Sequence, residues 1–169
     1  MTGDDVAATT MFGEFVDSEF SNILALAIAA LGDRDDALDV AQETMARTFD
    51  RWDDVSTMDR PGAWARRVAL NLVTDSLRRR TRRHRLESRL RAQPPIADAE
   101  SDTDAWDRHF WAEVVALRDR QRDVVLLHYV DDLAVADIAV VLDVPEGTIK
   151  SDLSRARASL RAAIEGSTS

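Results

Sequence analysis

The stretch "DVPEGTIKSDLSRARASLRAAI", residues 143–164, decides how the C-terminal part of the chain folds. Its apolar residues recur at spacings of four, three, four and four, which is the pattern of an amphipathic α-helix with one buried stripe. The stripe consists of Ile149, Leu153, Ala156, Leu160 and Ile164. A "DVPEG" turn separates this helix from a short apolar helix predicted over residues 135–142. A tight turn before a helix that carries basic side chains is typical of a DNA-binding helix-turn-helix, although an ordinary helical hairpin shows the same pattern.

The composition favours helices along the rest of the 169-residue chain. Glycine and proline are scarce and no alternating β-branched run occurs, so we expect an all-α fold. The chain has no cysteine and its three histidines are scattered, so we expect no disulfide, no metal, no cofactor and no enzymatic activity. Neither a signal peptide nor an apolar run long enough to span a bilayer is evident, which predicts a cytoplasmic protein without membrane insertion.

Helical spacing divides the chain into two small helical domains. The first domain, residues 10–91, contains a helix over about 10–31, a second helix capped by Asp33 and extending to Trp52, and a third beginning at Pro61. Residues 92–104 contain two prolines and no helical stripe, so we expect a flexible linker there. The second domain, residues 105–165, includes a helix that Asp119 is expected to cap. Fully extended, the linker would span about 43 Å, so the two domains are expected to be able to lie well apart.

The charge is distributed unevenly. The net charge is -9, yet residues 60–91 contain 11 arginines and only two acidic residues. Many of these arginines lie in "DSLRRRTRRHRLESRLR", residues 75–91. Such a block predicts a local surface for anions such as nucleic acid, while the plainer interpretation is a solvated, arginine-rich helix end.

Three segments resemble one protein family. "LRDRQRDVVLLHYVDDLAVADIAVVLDVPEGTIKSDLSRARASLR", residues 117–161, is similar to the C-terminal domain of bacterial RNA polymerase sigma factors. "DALDVAQETMARTF" and "PGAWARRVALNLVTDSLRRRTRR" resemble two consecutive helices of the N-terminal sigma domain. The order, spacing and length match the extracytoplasmic-function group of the sigma-70 family. The resemblance implies an alternative sigma factor that binds core RNA polymerase, recognises the -10 and -35 promoter elements and directs transcription initiation.

The resemblance also assigns roles to residues. The second helix of the first domain would dock on the coiled coil of the β′ clamp of RNA polymerase, and the C-terminal domain would contact the β flap. Both domains would bind promoter DNA. Asp152 departs from the family pattern, where many relatives have arginine, so it would repel phosphate or accept a bond from a cytosine amine. Ala134 departs as well, because relatives often have a capping serine there. The expected polymerase contacts are Asp36, Asp39, Gln42 and Glu43; the expected -10 contacts are Ser56, Thr57, Arg66, Arg67, Asn71, Arg78 and Arg79; and the expected -35 contacts are Thr148, Lys150, Ser151, Asp152, Arg155 and Arg157.

Two other interpretations fit parts of the sequence. A sigma mimic would bind an anti-sigma factor without touching promoters, and its role would suit the acidity of the chain; the arginine-rich third helix argues against it. A helix-turn-helix regulator would use the C-terminal domain alone, which leaves the polymerase-docking motif unexplained. Many members of the family bind an anti-sigma factor, and the sequence leaves open whether this chain does.

Overall fold

The computed structural model describes residues 3–90 and 102–167, which form eight helices and no strand. This confirms the predicted all-α fold. None of these helices combines the length and the apolar character needed to cross a bilayer. Residues 92–101 of the predicted linker lie outside the described residues, and residues 102–104 already belong to a helix. The helices are α1 Gly3–Leu31, α2 Arg34–Phe49, α3 Trp52–Val55, α4 Pro61–Leu90, α5 Asp102–Ala116, α6 Asp119–Tyr129, α7 Val135–Leu142 and α8 Glu146–Ser167.

Two of the predicted helix boundaries need correction. Asp33 caps α2 as predicted, since its Oδ1 accepts bonds from the backbone N–H groups of Asp35 (3.0 Å) and Asp36 (2.9 Å). The helix ends at Phe49, however, and Trp52 starts the separate short helix α3, in which its ring is buried against Phe12 and Phe15. Asp119 is the first residue of α6 and not its cap. Its carboxylate accepts bonds from Arg122 and Arg78, which lie close enough to compete with the helix end.

The N-terminal unit, α1–α4, is a bundle in which α1, α2 and α4 pack on one another. Apolar residues from all three helices meet in one cluster at its centre, and Phe12, Phe15 and Phe49 close one end of the bundle with Trp52. The central cluster contains Ile23, Ala41, Met45, Ala65 and Ala69.

The C-terminal unit, α5–α8, contains the predicted helix-turn-helix. The stripe of α8 is buried as expected at Ile149, Leu153, Ala156 and Leu160. Asp143 takes a left-handed conformation (φ 55°) at the end of α7, which lets the Val144 N–H bond the Ala139 carbonyl at 3.1 Å. The turn thus ends α7 and leads into α8 within three residues, 143–145.

The two units share one hydrophobic core. Leu70 and Val73 of α4 belong to the same buried cluster as Leu126 of α6 and Ile138 of α7. In this conformation the two units therefore pack against each other, although the predicted linker is long enough for them to lie apart. The two units pack because α4 has a second apolar side, containing Leu70, besides the side with Ala65 and Ala69 that faces α1 and α2.

Candidate functional site

The acidic residues of α2 lie together on one exposed side of the helix. Asp36, Asp39, Gln42 and Glu43 are all exposed, and they line a groove of about 500 Å³ between α2 and α4. Glu43 accepts a bond from Arg47 of the same helix at 2.8 Å, and Asp36 lies 3.7 Å from Arg80 of α4. Both contacts are at the surface, so the carboxylates can exchange them for cationic groups of a partner.

The first of the α4 arginines is not available to solvent. Arg66 is only 8% exposed. Its Nε and Nη2 donate to the two carboxylate oxygens of Asp131, which precedes α7, and its Nη1 donates to Glu19 of α1 at 2.5 Å. Burial lowers the pKa of Arg66, but the bonds and charges of Asp131 and Glu19 outweigh burial and raise it above its usual value. Arg66 was expected from the sequence to contact the -10 element. In this conformation its guanidinium is instead bonded to the carboxylates of Asp131 and Glu19.

Gly62 leaves the space in which this ion pair forms. A Cβ atom at this position would lie 2.5 Å from the Glu19 Oε1 and 2.7 Å from the Arg66 Nη1. The Arg66 Nη1 is bonded to the other carboxylate oxygen of Glu19, Oε2, so a larger residue at position 62 would push against both members of this ion pair.

Three more arginines connect the N-terminal unit to the C-terminal unit. Arg67 donates from Nε to the Val141 carbonyl (2.7 Å) and from Nη2 to the Val140 carbonyl (3.1 Å). These carbonyls belong to the last turn of α7, where helical hydrogen bonding runs out, and the Val140 carbonyl also accepts a long bond of 3.4 Å from the Asp143 N–H. Arg60 pairs with Asp137 of α7, and Arg78 donates to Asp119 at 2.8 Å.

The remaining candidates for the -10 element lie on the solvent side. Asn71 and Arg79 are exposed on α4. Ser56 and Thr57 follow α3 in the segment that leads to α4. The Thr57 hydroxyl donates to the Asp54 carbonyl at 2.7 Å, and the Ser56 hydroxyl lies 3.5 Å from the Asp53 carbonyl. These bonds stabilise the turn that leads to Pro61.

The N-terminal end of α8 presents most of the -35 candidates. Lys150, Ser151 and Arg155 are exposed, and Thr148 is half-buried. Arg157 is exposed too, but its Nε donates to the Tyr129 hydroxyl at 2.7 Å and its guanidinium lies 5.7 Å from the centre of that ring. Tyr129 thus fixes the orientation of one arginine beside the helix.

Asp152 does not face the solvent side of α8. It is 2% exposed, and its carboxylate accepts a bond from Arg120 Nε of α6 at 2.5 Å. This bond raises the pKa of Arg120. The expectation that Asp152 meets DNA is corrected by this placement: the residue lies three positions after Ile149 and four before Ala156, which puts it on the buried stripe.

Arg122 was not among the residues singled out from the sequence. It is buried on α6, and its Nη2 donates to the Thr74 hydroxyl of α4 at 2.7 Å. Its guanidinium also lies 3.2 Å from Asp119 and 3.3 Å from Asp123. Burial raises the pKa of Asp123 to about 6, although the neighbouring Arg122 lowers it. In the sequence, Arg122 lies two residues before the apolar run "VVLL", residues 124–127, and this proximity was the signal for an interior charge.

The described residues offer no cluster of three or more histidine, aspartate or glutamate side chains that could hold a metal ion. The candidate residues lie on three surfaces: an acidic face on α2, a basic side on α4 and the exposed N-terminal end of α8.

Comparison with known proteins identifies the family. Residues 15–83 match the family "Sigma-70 region 2", and residues 110–160 match "Sigma-70, region 4". The RNA polymerase sigma-E factor of Streptomyces avermitilis is 32% identical over 156 residues, which are 91% of this chain and 85% of that protein. The ECF RNA polymerase sigma factor SigW of Bacillus subtilis is 27% identical over 162 residues, with 89% and 87% covered.

Two solved structures share the fold. The sigma factor RpoE of Bartonella quintana, in complex with the anti-sigma factor NepR, has a TM-score of 0.67 at 23% identity and covers 91% of this chain and 96% of that one. CnrH, in complex with the cytosolic domain of CnrY, also has a TM-score of 0.67, at 19% identity, with 94% and 90% covered. The protein with the acidic α2, the basic α4 and the helix-turn-helix described above belongs to the extracytoplasmic-function group of sigma-70 RNA polymerase sigma factors.

Proposed function

We propose that this sigma factor docks on core RNA polymerase through the acidic face of α2, reads the -10 element with α4 and the loop before it, and reads the -35 element with the N-terminal end of α8. Membership of the family makes the chain an alternative sigma factor that binds core polymerase and promoter DNA and directs transcription initiation. The assignment of these steps to individual residues is the proposal.

One observation carries the docking assignment. Four polar side chains, Asp36, Asp39, Gln42 and Glu43, are exposed along one side of α2 and line the same groove. Because these side chains are exposed, they are available to a partner. A basic coiled coil of the polymerase clamp could make charge-assisted bonds with all three carboxylates.

The DNA-reading assignments follow from exposure and chemistry. Asn71 has both an amide donor and an acceptor, which can pair with a base edge, and it lies on the solvent side of α4. Arg79 and the arginines after it can contact phosphates. Lys150 and Ser151 lie at the end of α8 that enters the major groove in a helix-turn-helix protein.

We also propose that the protein has no catalytic activity of its own and acts in the cytoplasm, where RNA polymerase works. We further propose that an anti-sigma factor binds this sigma factor and restrains it, because the solved relative RpoE is bound to an anti-sigma factor.

In vitro transcription with charge-reversed protein tests the proposed docking. Core polymerase and the wild-type chain should give specific transcripts from fragments of the source chromosome. The double variant Asp39→Arg with Glu43→Arg should lose both transcription and co-purification with core polymerase while keeping its helical circular dichroism. The matched control is Glu14→Arg with Asp17→Arg, two exposed acids on α1, which should keep both activities.

The outcomes separate the candidate functions. If both double variants bind core polymerase equally well, the acidic face of α2 is not the docking surface. If the wild-type chain never directs transcription but captures an anti-sigma factor, the sigma mimic becomes the better interpretation.

A further inference from the structure

A cleft of about 1080 Å³ lies between the second half of α4 and the segment that contains the end of α5 and the start of α6. Its volume is at the upper end of small-molecule sites, which typically measure about 300–1,000 Å³. Of the residues that are assigned individually above to polymerase or promoter DNA, Arg78 lines this cleft and the others do not. We call this space the α4–α6 cleft.

The α4–α6 cleft is strongly basic, although the chain as a whole has a net charge of -9. Five arginines and one aspartate line it, which gives a local net charge of +4 with His84 neutral. Walls of low dielectric constant on both sides focus this potential within the cleft. The cleft therefore attracts small anions that have several negative charges. Its arginines are Arg78, Arg80, Arg82, Arg85 and Arg122, and its aspartate is Asp119.

Asp119 brings two of these arginines together at one side of the cleft. Its Oδ2 accepts a bond from the Arg78 Nη2 at 2.8 Å, and its Oδ1 accepts one from the Arg122 Nη1 at 3.2 Å. A guanidinium has five N–H donors, so each of the two arginines can also donate to a second anion. One guanidinium from α4 and one from α6 can thus bind the same ligand.

Arg122 is the buried member of the set, with 3% of its surface exposed. Its terminal nitrogens donate to Thr74, Asp119 and Asp123. Its Nε is buried without a hydrogen-bond partner, and no other buried side-chain nitrogen or oxygen that the structure describes lacks one. Buried donors nearly always have a partner. A guanidinium with a donor to spare, in the wall of a basic cleft, points to an acceptor such as a phosphate oxygen.

Apolar side chains line the cleft beside the arginines. Leu77 of α4, Val115 of α5 and Leu117 between α5 and α6 are all half-buried there. A ligand made only of phosphate would leave this apolar surface in water, whereas a ligand with a ring system would cover it. Guanidinium groups also stack on planar rings. The lining therefore suits a molecule with an anionic end and a flat, weakly polar end.

We propose that the α4–α6 cleft binds a nucleoside polyphosphate, with its phosphates on the arginines of α4 and α6 and its base against the three apolar side chains. Two or three adjoining phosphates match several guanidiniums that line one space. A nucleotide is also compact enough for the cleft to enclose, whereas a DNA strand would have to leave it at both ends. The site does not rest on the roles proposed above for polymerase and promoter contacts.

Equilibrium dialysis of the full chain against radiolabelled ATP and GTP measures this binding. At least one of the two nucleotides should bind, with one molecule per chain. Unlabelled tripolyphosphate and the matching nucleoside should each compete more weakly than the nucleotide, because each lacks one half of the ligand. Binding of neither nucleotide would overturn the proposal, and so would tripolyphosphate that competes as well as the nucleotide does.

A matched pair of double variants on α4 tests where the nucleotide binds. Arg82→Gln with Arg85→Gln removes two charges from the cleft, and Arg79→Gln with Arg83→Gln removes two exposed charges of the same helix that do not line it. The first double variant should bind the nucleotide at least about tenfold more weakly, because it loses charge-assisted bonds. The second should bind it like wild type. Equal losses would show attraction to the arginines of α4 in general, and the proposed site would be wrong.

A carboxylate on the opposite wall tests the cleft from α5. Val115→Glu adds a negative charge inside the cleft, whereas Ala116→Glu adds it one residue away, at an exposed position that does not line the cleft. Val115→Glu should weaken nucleotide binding and Ala116→Glu should not, while both variants keep the helical circular dichroism of wild type. Unchanged nucleotide binding by Val115→Glu would place the nucleotide elsewhere and overturn the proposal.

Single-stranded DNA is the alternative occupant, because its phosphates have the same chemistry. A labelled oligonucleotide of random sequence should bind the Val115→Glu and Ala116→Glu variants equally well if the cleft takes a nucleotide. If Val115→Glu weakens DNA binding instead, and neither ATP nor GTP binds to wild type, the cleft is part of a path for DNA and the nucleotide site is refuted.

Discussion

Replacing Asp152 by alanine separates a structural role from a DNA-reading role at this position of α8. The side chain is buried and bonded to Arg120 of α6 at 2.5 Å, whereas the Arg120 side chain is 53% exposed. After the substitution Arg120 can turn toward water, so no buried charge is left without a partner. The loss is then that of a charge-assisted hydrogen bond, about 1.5–3 kcal/mol, offset by up to about 0.7 kcal/mol because alanine is a better helix former than aspartate.

The expected loss in the free energy of unfolding at Asp152 is therefore about 1–2 kcal/mol. In a chain of this length that corresponds to a lowering of Tm by about 2–8 °C. The free energy is measured by urea denaturation and Tm by calorimetry. Transcription from a promoter library with randomised -35 elements, run with holoenzyme at a temperature where both proteins are folded, should show the wild-type sequence preference.

Ser151→Ala is the matched control, one residue away on the exposed side of α8. Its Tm should stay near that of wild type, while its -35 preference should change. The reasoning is refuted if Asp152→Ala changes the preferred -35 sequence and leaves unfolding untouched, because the aspartate would then face the DNA.

Two further predictions concern α4 and α6. Asn71→Ala should reduce the permanganate reactivity of the melted DNA strand more than it reduces closed-complex binding. The control Asp75→Ala, at an exposed neighbouring position, should change neither. Equal losses in both assays would mean that Asn71 has a structural role. Burial raises the pKa of Asp123 to about 6 in the folded state, where its side chain is 16% exposed. Between about pH 4 and 6 the folded chain therefore keeps a proton on Asp123, whereas the unfolded chain releases it. The stability of wild type relative to Asp123→Asn should therefore rise by up to about 3 kcal/mol as the pH falls from 7 to 4 in urea denaturation, and a difference that does not vary with pH would contradict the assignment.

Much of the local structure could be predicted because it depends on neighbours in the sequence. The spacing of Ile149, Leu153 and Ala156 predicted the buried stripe of α8, and Asp33 was correctly predicted as the cap of α2. Each of these features is set within one or two helical turns, where periodicity and capping chemistry act directly. Asp39 and Glu43 are four residues apart in the sequence, and they lie together on one exposed side of α2.

Whether Arg66 and Asp152 are free to bind a partner was decided by tertiary structure. Arg66 and Asn71 were both expected to contact the -10 element, yet Arg66 is buried against Asp131, 65 residues later, and Asn71 is exposed. Asp152 was expected to meet DNA, but packing of α8 on α6 gives its carboxylate to Arg120. Helical periodicity fixes the direction of a side chain on its own helix and contains no information about which distant element covers it. That choice follows from the free energy of burying Leu70 and Val73 together with the C-terminal unit, which exists only once the two units meet.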